Sequence, residues 1–115
     1  MTDTGIVTDE MIESLKGAES IIIESNHDEK MLFNGTYPYF LKKRISGKFG
    51  HMSNELCATV CKHLAANGTK NFILSHLSEH NNTEELAFQC TDSLLKAANI
   101  NYTLKVAKKN VPIFL

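Results

Sequence analysis

Four short stretches of the chain concentrate side chains that can ligate a metal ion, move a proton or hold an anion. They are Asp3-Thr4-Gly5, Glu24-Ser25-Asn26-His27-Asp28, Gly50-His51-Met52-Ser53-Asn54 and Ser75-His76-Leu77-Ser78. Carboxylates and imidazoles gathered beside helix N-termini suit a metal-assisted reaction at phosphate. The ion activates water, while free N–H groups and a positive dipole end favour the anion. Each residue also has a plainer reading. Asp3 can cap a helix, Glu24 can sit solvated at a strand end, His51 can bond backbone beside a helix, and His76 can simply follow a buried strand. His63 reads as a mid-helix surface residue. Cys57 and Cys61, at i and i+4, could face a metal, but small soft side chains of this kind are ordinarily core.

Bringing these stretches together requires a sheet. Ile21-Ile22-Ile23 and Phe72-Ile73-Leu74 are continuous apolar runs, the pattern of strands covered on both faces. A third strand is expected over residues 102–106, where apolar and polar residues alternate. Helical periodicity fills the intervals. It covers residues 9–15, then Asn54–Ala66 with Leu56, Cys57, Val60, Cys61 and Leu64 on one stripe, then residues 83–98 with Leu86, Ala87, Cys90 and Leu94. Ser53 and Asn82 are the expected N-caps, Asn82 with Glu85 resembling a capping box. Pro38 opens a short helix through Ile45. Such alternation predicts an α/β domain with a largely parallel sheet, in which loops after the strands' carboxyl ends form the ligand crevice. Asp3, Glu24, His51 and His76 should therefore meet at one sheet edge, with Glu24 in hydrogen-bond reach of His51.

Composition narrows the class. A chain of 115 residues, 43% hydrophobic and 22% charged, fits one ordinary globular domain, taken here as residues 1–115. No apolar stretch approaches the roughly 18 residues of a membrane span, and the polar N-terminus lacks a signal-peptide layout. Cys57, Cys61 and Cys90 have no CxxC spacing, which favours reduced thiols and a cytoplasmic location. Charge is uneven: residues 1–36 hold eight acidic and two basic side chains, residues 37–70 six basic and one acidic. That basic middle fits a phosphate-bearing partner or a solvated face. Tyr37, Tyr39, Phe40 and Phe49 interleave there with Lys42, Lys43, Arg44 and Lys48. The mixture suits base stacking and phosphate contact, or equally a packed aromatic set with solvated lysines.

The run ESNHDEKMLFNGTYPYFLKKRISGKFGHMSNELCA, followed by FILSHLSEHNNTEELA, resembles the C-terminal half of YycJ-like (WalJ-like) metallo-β-lactamase-fold hydrolases. Four motifs occur in order, over residues 2–99. The resemblance implies part of an αββα sandwich whose intact site holds two divalent ions, zinc or manganese. It implies that Asp3 matches the aspartate bridging the ions and that His76 matches the last histidine ligand. Glu24 and His51 match a non-ligand acid–histidine pair that serves the leaving oxygen of a phosphodiester, the carboxylate orienting the imidazole. Asn26, His27, Lys42, Lys43, Arg44 and Ser53 are the candidate substrate contacts.

The departure from that pattern is the absence of the HxHxDH motif and of the further histidine that follows it. Catalytic zinc takes about three protein ligands per ion, and the matched positions here are Asp3 and His76 alone. The expectation is a partial domain whose other half would be its natural partner. Alone, it would hold metal weakly, stay inactive, and either self-associate through an uncovered sheet face or expose a large apolar patch there. The implied parent activity is metal-dependent phosphodiester hydrolysis, as in a DNA exonuclease. The alternatives are a small-molecule hydrolase of the same fold, or a non-enzymatic binding or regulatory domain.

Overall fold

A computed structural model of the chain describes Met11, Leu15 and residues 17–47 and 50–107. Strands β1 (Ser20–Glu24), β2 (Asn71–Ser75) and β3 (Thr103–Val106) form one sheet in the order β1-β2-β3, with both pairings parallel. Ile21 lies beside Phe72 and Ile23 beside Leu74, and Leu104 and Val106 continue these rows into β3. Successive strand residues point to opposite sides, so those six share one face and Ile22, Ile73 and Lys105 share the other.

Parallel crossovers are nearly always of one hand, so two steps in the same direction put their helices on the same face. Helices α1 (Glu29–Asn34), α2 (Tyr39–Ser46) and α3 (Asn54–Ala66) connect β1 to β2, and α4 (Glu84–Ala97) connects β2 to β3. Cys57, Val60, Cys61 and Leu64 of α3 and Ala87 and Leu95 of α4 join Ile21, Ile23, Phe72 and Leu74 in one buried cluster. Burying each large aliphatic side chain contributes roughly 1.5–3 kcal/mol, so this layer holds the rest in place. Leu15, helical like Met11, packs against the same cluster. On the second face Ile73 is buried, whereas Ile22 is 51% exposed.

The fold is thus α/β with a parallel sheet, as the alternating pattern predicts. Helix α3 has the expected bounds because Ser53 caps it, its hydroxyl accepting from Leu56 N at 3.1 Å. The cap of α4 differs from expectation. Thr83, rather than Asn82, accepts from the third helical N–H, Leu86 N, at 3.0 Å. Asn82 is drawn away from capping because its amide is buried in a polar network. Helix α1 was not apparent from periodicity, being six residues long with only Leu32 buried. Its cap was the available signal: Asp28 accepts from Met31 N at 3.0 Å. No helix among the described residues is long and apolar enough to cross a membrane.

Candidate active site

The last residue of β1 carries the chemistry that organises the site. Glu24 is fully buried, and a buried carboxylate is costly unless its oxygens are satisfied. Its Oε1 accepts from the backbone N–H of Met52 at 3.0 Å, and its Oε2 accepts from Nδ1 of His51 at 2.8 Å. A carboxylate only accepts, so this contact places the His51 hydrogen on Nδ1. The same Oε2 lies 3.5 Å from Nδ1 of His76, long for a hydrogen bond but close for a charge pair. One buried carboxylate therefore stands between two partly exposed imidazoles, from the loops before α3 and after β2.

His76 reaches this position through an unusual backbone. Its φ is 55°, the left-handed region that a side chain occupies only at a cost of order 1–3 kcal/mol. Asn26 holds the turn, its Nδ2 donating to the His76 carbonyl at 2.8 Å. Main-chain bonds then stitch the loops together: Asn26 N donates to Met52 O at 2.9 Å, Ser78 N to Asn26 O at 2.7 Å, and Ser25 N to Ser75 O at 2.9 Å.

Beneath this layer lies a buried amide knot. Asn54 and Asn82 exchange hydrogen bonds at 2.8 and 3.0 Å. Ser25 Oγ donates to Asn54 Oδ1 at 2.6 Å, and Asn82 Nδ2 also donates to the carbonyls of Ser25 and Asn26. The knot fixes three loops relative to one another. Neither asparagine stands out as a site residue in the sequence; the readable signal was a polar residue directly beside a helix start.

The structure brings Glu24, His51, His76 and Asn26 together. His27 lies next to them but is buried, with Nδ1 3.2 Å from Asn26 Oδ1 and its carbonyl accepting from Asn54 N at 2.8 Å. Burial pushes its imidazole below the ordinary value of 6.5; Glu29 opposes this, His51 reinforces it, and Glu24 and Asp28 oppose it more weakly. The Ser53 hydroxyl accepts in the α3 cap. Lys42 Nζ donates to the Phe33 carbonyl at 2.8 Å, and Lys43 Nζ lies 5.8 Å from the centre of the Tyr39 ring. Arg44 lines an open cavity of about 540 Å³ together with His51, Asn26, Tyr37 and Ser78. Asp3 lies outside the described residues. Cys57 and Cys61 are buried in the core cluster, and His63 is exposed on α3.

No family model matches the chain, and no solved structure matches it. Among curated proteins it is 42% identical over 96 residues to the exodeoxyribonuclease YycJ of Bacillus anthracis, covering 84% of this chain and 36% of that protein. It is 40% identical over 100 residues to the exodeoxyribonuclease WalJ of Streptococcus pneumoniae serotype 2 (strain D39 / NCTC 7466), covering 87% of this chain and 37% of that one. The chain thus spans little more than a third of the length of these relatives. Identity of this level, sustained across most of the chain, makes it YycJ/WalJ-like over the stretch compared.

Proposed function

We propose that this chain supplies the acid–histidine side of a metal-dependent DNA hydrolase site of the metallo-β-lactamase type, in which Glu24 orients His51 toward a phosphodiester. The observation that carries the reading is the Glu24 carboxylate, fully buried and held from two directions by Met52 N and His51 Nδ1. With Nδ1 engaged by the carboxylate, Nε2 is the nitrogen that would serve the substrate. His51 would deliver a proton from Nε2 to the departing oxygen while the Glu24 carboxylate holds the ring in place. The names of the two relatives, both exodeoxyribonucleases, support DNA as the substrate class.

The resemblance also implies two divalent ions, zinc or manganese. Among the described residues no group of three or more His, Cys, Asp or Glu side chains is arranged to hold one. His51 and His76 both present a partly exposed imidazole whose Nδ1 faces the buried Glu24 carboxylate, an arrangement common in metal-bound histidines, and the resemblance matches His76 rather than His51 to a ligand position. The described residues therefore do not make a metal site by themselves, and the remaining ligands would come from Asp3 and from the rest of the fold. A bound ion would supply activated water; the residues described here position and protonate.

The test is a chimaera in which this chain replaces the matching segment of the Bacillus anthracis relative. Manganese- or zinc-dependent release of nucleotides from linear DNA is the expected result, reduced about 10²–10⁴-fold by His51→Ala. A folded chimaera that hydrolyses only a small phosphodiester, or nothing, would overturn DNA hydrolysis as the function.

A further inference from the structure

The cavity of about 540 Å³ beside His51 is the right size for one small ligand and too small for a length of duplex. We propose that it is a subsite for a single nucleotide of the substrate strand, a deoxynucleoside monophosphate in size and charge, with Arg44 binding its phosphate and Tyr37 facing its base. The proposal rests on the DNA-hydrolase reading above and deepens it.

Three observations carry it. The first is the state of the cations on α2. Lys42 is spent on the Phe33 carbonyl and Lys43 lies against the Tyr39 ring. The Arg44 guanidinium makes no hydrogen bond or ion pair among the described residues, is exposed, and lines the cavity. A guanidinium fork matches two phosphate oxygens at once, which an ammonium does not.

The second is the character of the walls. Among the described residues no carboxylate lines this cavity, whereas the neighbouring one of about 640 Å³, beside His76, is lined by Glu79 and Glu84 and suits an anion less. Leu41 and Ile45 offer an apolar surface, and the Tyr37 ring, held edge-on to His80 at 6.0 Å, offers an aromatic one. Aromatic and aliphatic walls beside one cation suit a base joined to a phosphate.

The third is rigid coupling to the acid–histidine pair. His51 N donates to the Ile45 carbonyl at 2.8 Å, and Gly50 N donates to Gly47 O at 3.0 Å. A Cβ on Gly50 would lie 2.1 Å from the Ile45 oxygen, so only glycine lets the chain pass this close. Arg44, Ile45 and His51 are thereby locked into one wall, which sets a phosphate on Arg44 near the imidazole.

The experiment titrates the full chain with 2′-deoxyadenosine 5′-monophosphate, followed by NMR, with deoxyadenosine and inorganic phosphate as comparison probes. The nucleotide should shift the Tyr37 and His51 resonances and bind at least tenfold more tightly than either comparison probe. Arg44→Ala should weaken it roughly tenfold or more, with Arg44→Lys restoring only part and circular dichroism unchanged. Shifts that map elsewhere, or equal affinity in Arg44→Ala, would overturn the subsite. Loss of the subsite in a chimaera that still cleaves DNA leaves the proposed function standing. Arg44-dependent nucleotide binding by a chimaera that cleaves nothing sustains the subsite and removes that function.

Discussion

Glu24 and His51, 27 residues apart, meet through a 2.8 Å hydrogen bond, while the next backbone N–H after His51, that of Met52, binds the other oxygen of the same carboxylate at 3.0 Å. Side chain and main chain of consecutive residues thus grip one buried group, the backbone bond fixing where the imidazole starts and the side-chain bond fixing how its ring is turned. The same carboxylate faces His76, so its removal should be felt in both loops.

Replacing Glu24 with Gln keeps the shape and removes one acceptor. With the amide oxygen on Met52 N–H, the NH2 would face His51 Nδ1, which must move its hydrogen to Nε2 to accept and thereby gives up the tautomer the carboxylate holds. Losing the charged acceptor from both contacts should cost about 1–3 kcal/mol. A thermal melt followed by circular dichroism should show a fall of several degrees; an unchanged midpoint would mean that the carboxylate is not structurally engaged.

The amide knot and the helix cap are adjacent in sequence but separable in effect. Thr83→Ala removes a cap on an exposed helix start and should cost about 1 kcal/mol. Asn82→Ala strips partners from the Ser25 and Asn26 carbonyls and from Asn54, so it should cost more, up to about 3 kcal/mol. Denaturant titration of both variants checks the order; a larger loss from Thr83→Ala would put the stabilisation in the cap.

Gly50→Ala tests the wall that joins α2 to His51. The added methyl would collide with backbone oxygens of Ile45 and Arg44, which have no flexible end to move aside. The turn must shift, at about 1–3 kcal/mol, and His51 with it. Loss of the His51 Nδ1 contact should appear as a changed imidazole resonance; a wild-type resonance in a folded Gly50→Ala variant would show that the turn tolerates the methyl.

Stability should also depend on pH through His27, whose burial holds its imidazole below the ordinary 6.5 while Glu29, Glu24 and Asp28 oppose and His51 reinforces the shift. Between about 6.5 and the lower folded value, the unfolded chain binds the extra proton, so stability falls as pH falls through that window and is fully present above it. His27→Gln should flatten the decline. Identical pH slopes in the two proteins, measured by denaturant titration from pH 8 to 5, would assign it to other groups.

Much of this arrangement was legible because apolar runs mark strands and the polar residues that end them mark the crevice. Ile21-Ile22-Ile23 leads into Glu24 and Phe72-Ile73-Leu74 into His76, so the strand register alone brings those two ends side by side. The reciprocal bonding of Asn54 and Asn82 was not legible, since each looks like an ordinary helix-start residue until tertiary structure turns both amides inward. Helix α1 was missed because two turns bury too little to leave a period. The different fates of Lys42, Lys43 and Arg44 follow from the rotation of α2, which composition cannot convey.

In the proposed reaction His51, oriented by Glu24, protonates the oxygen that leaves phosphorus, a role that can be isolated by the choice of leaving group. It is tested most directly by comparing two substrates in the chimaera and its His51→Ala variant. One is linear DNA; the other is thymidine 5′-monophosphate p-nitrophenyl ester, whose leaving group departs without a proton. His51→Ala should slow DNA hydrolysis about 10²–10⁴-fold and leave the p-nitrophenyl ester within a few fold of the parent rate. Equal losses on both substrates would contradict it, because His51 would then act on something other than the leaving oxygen.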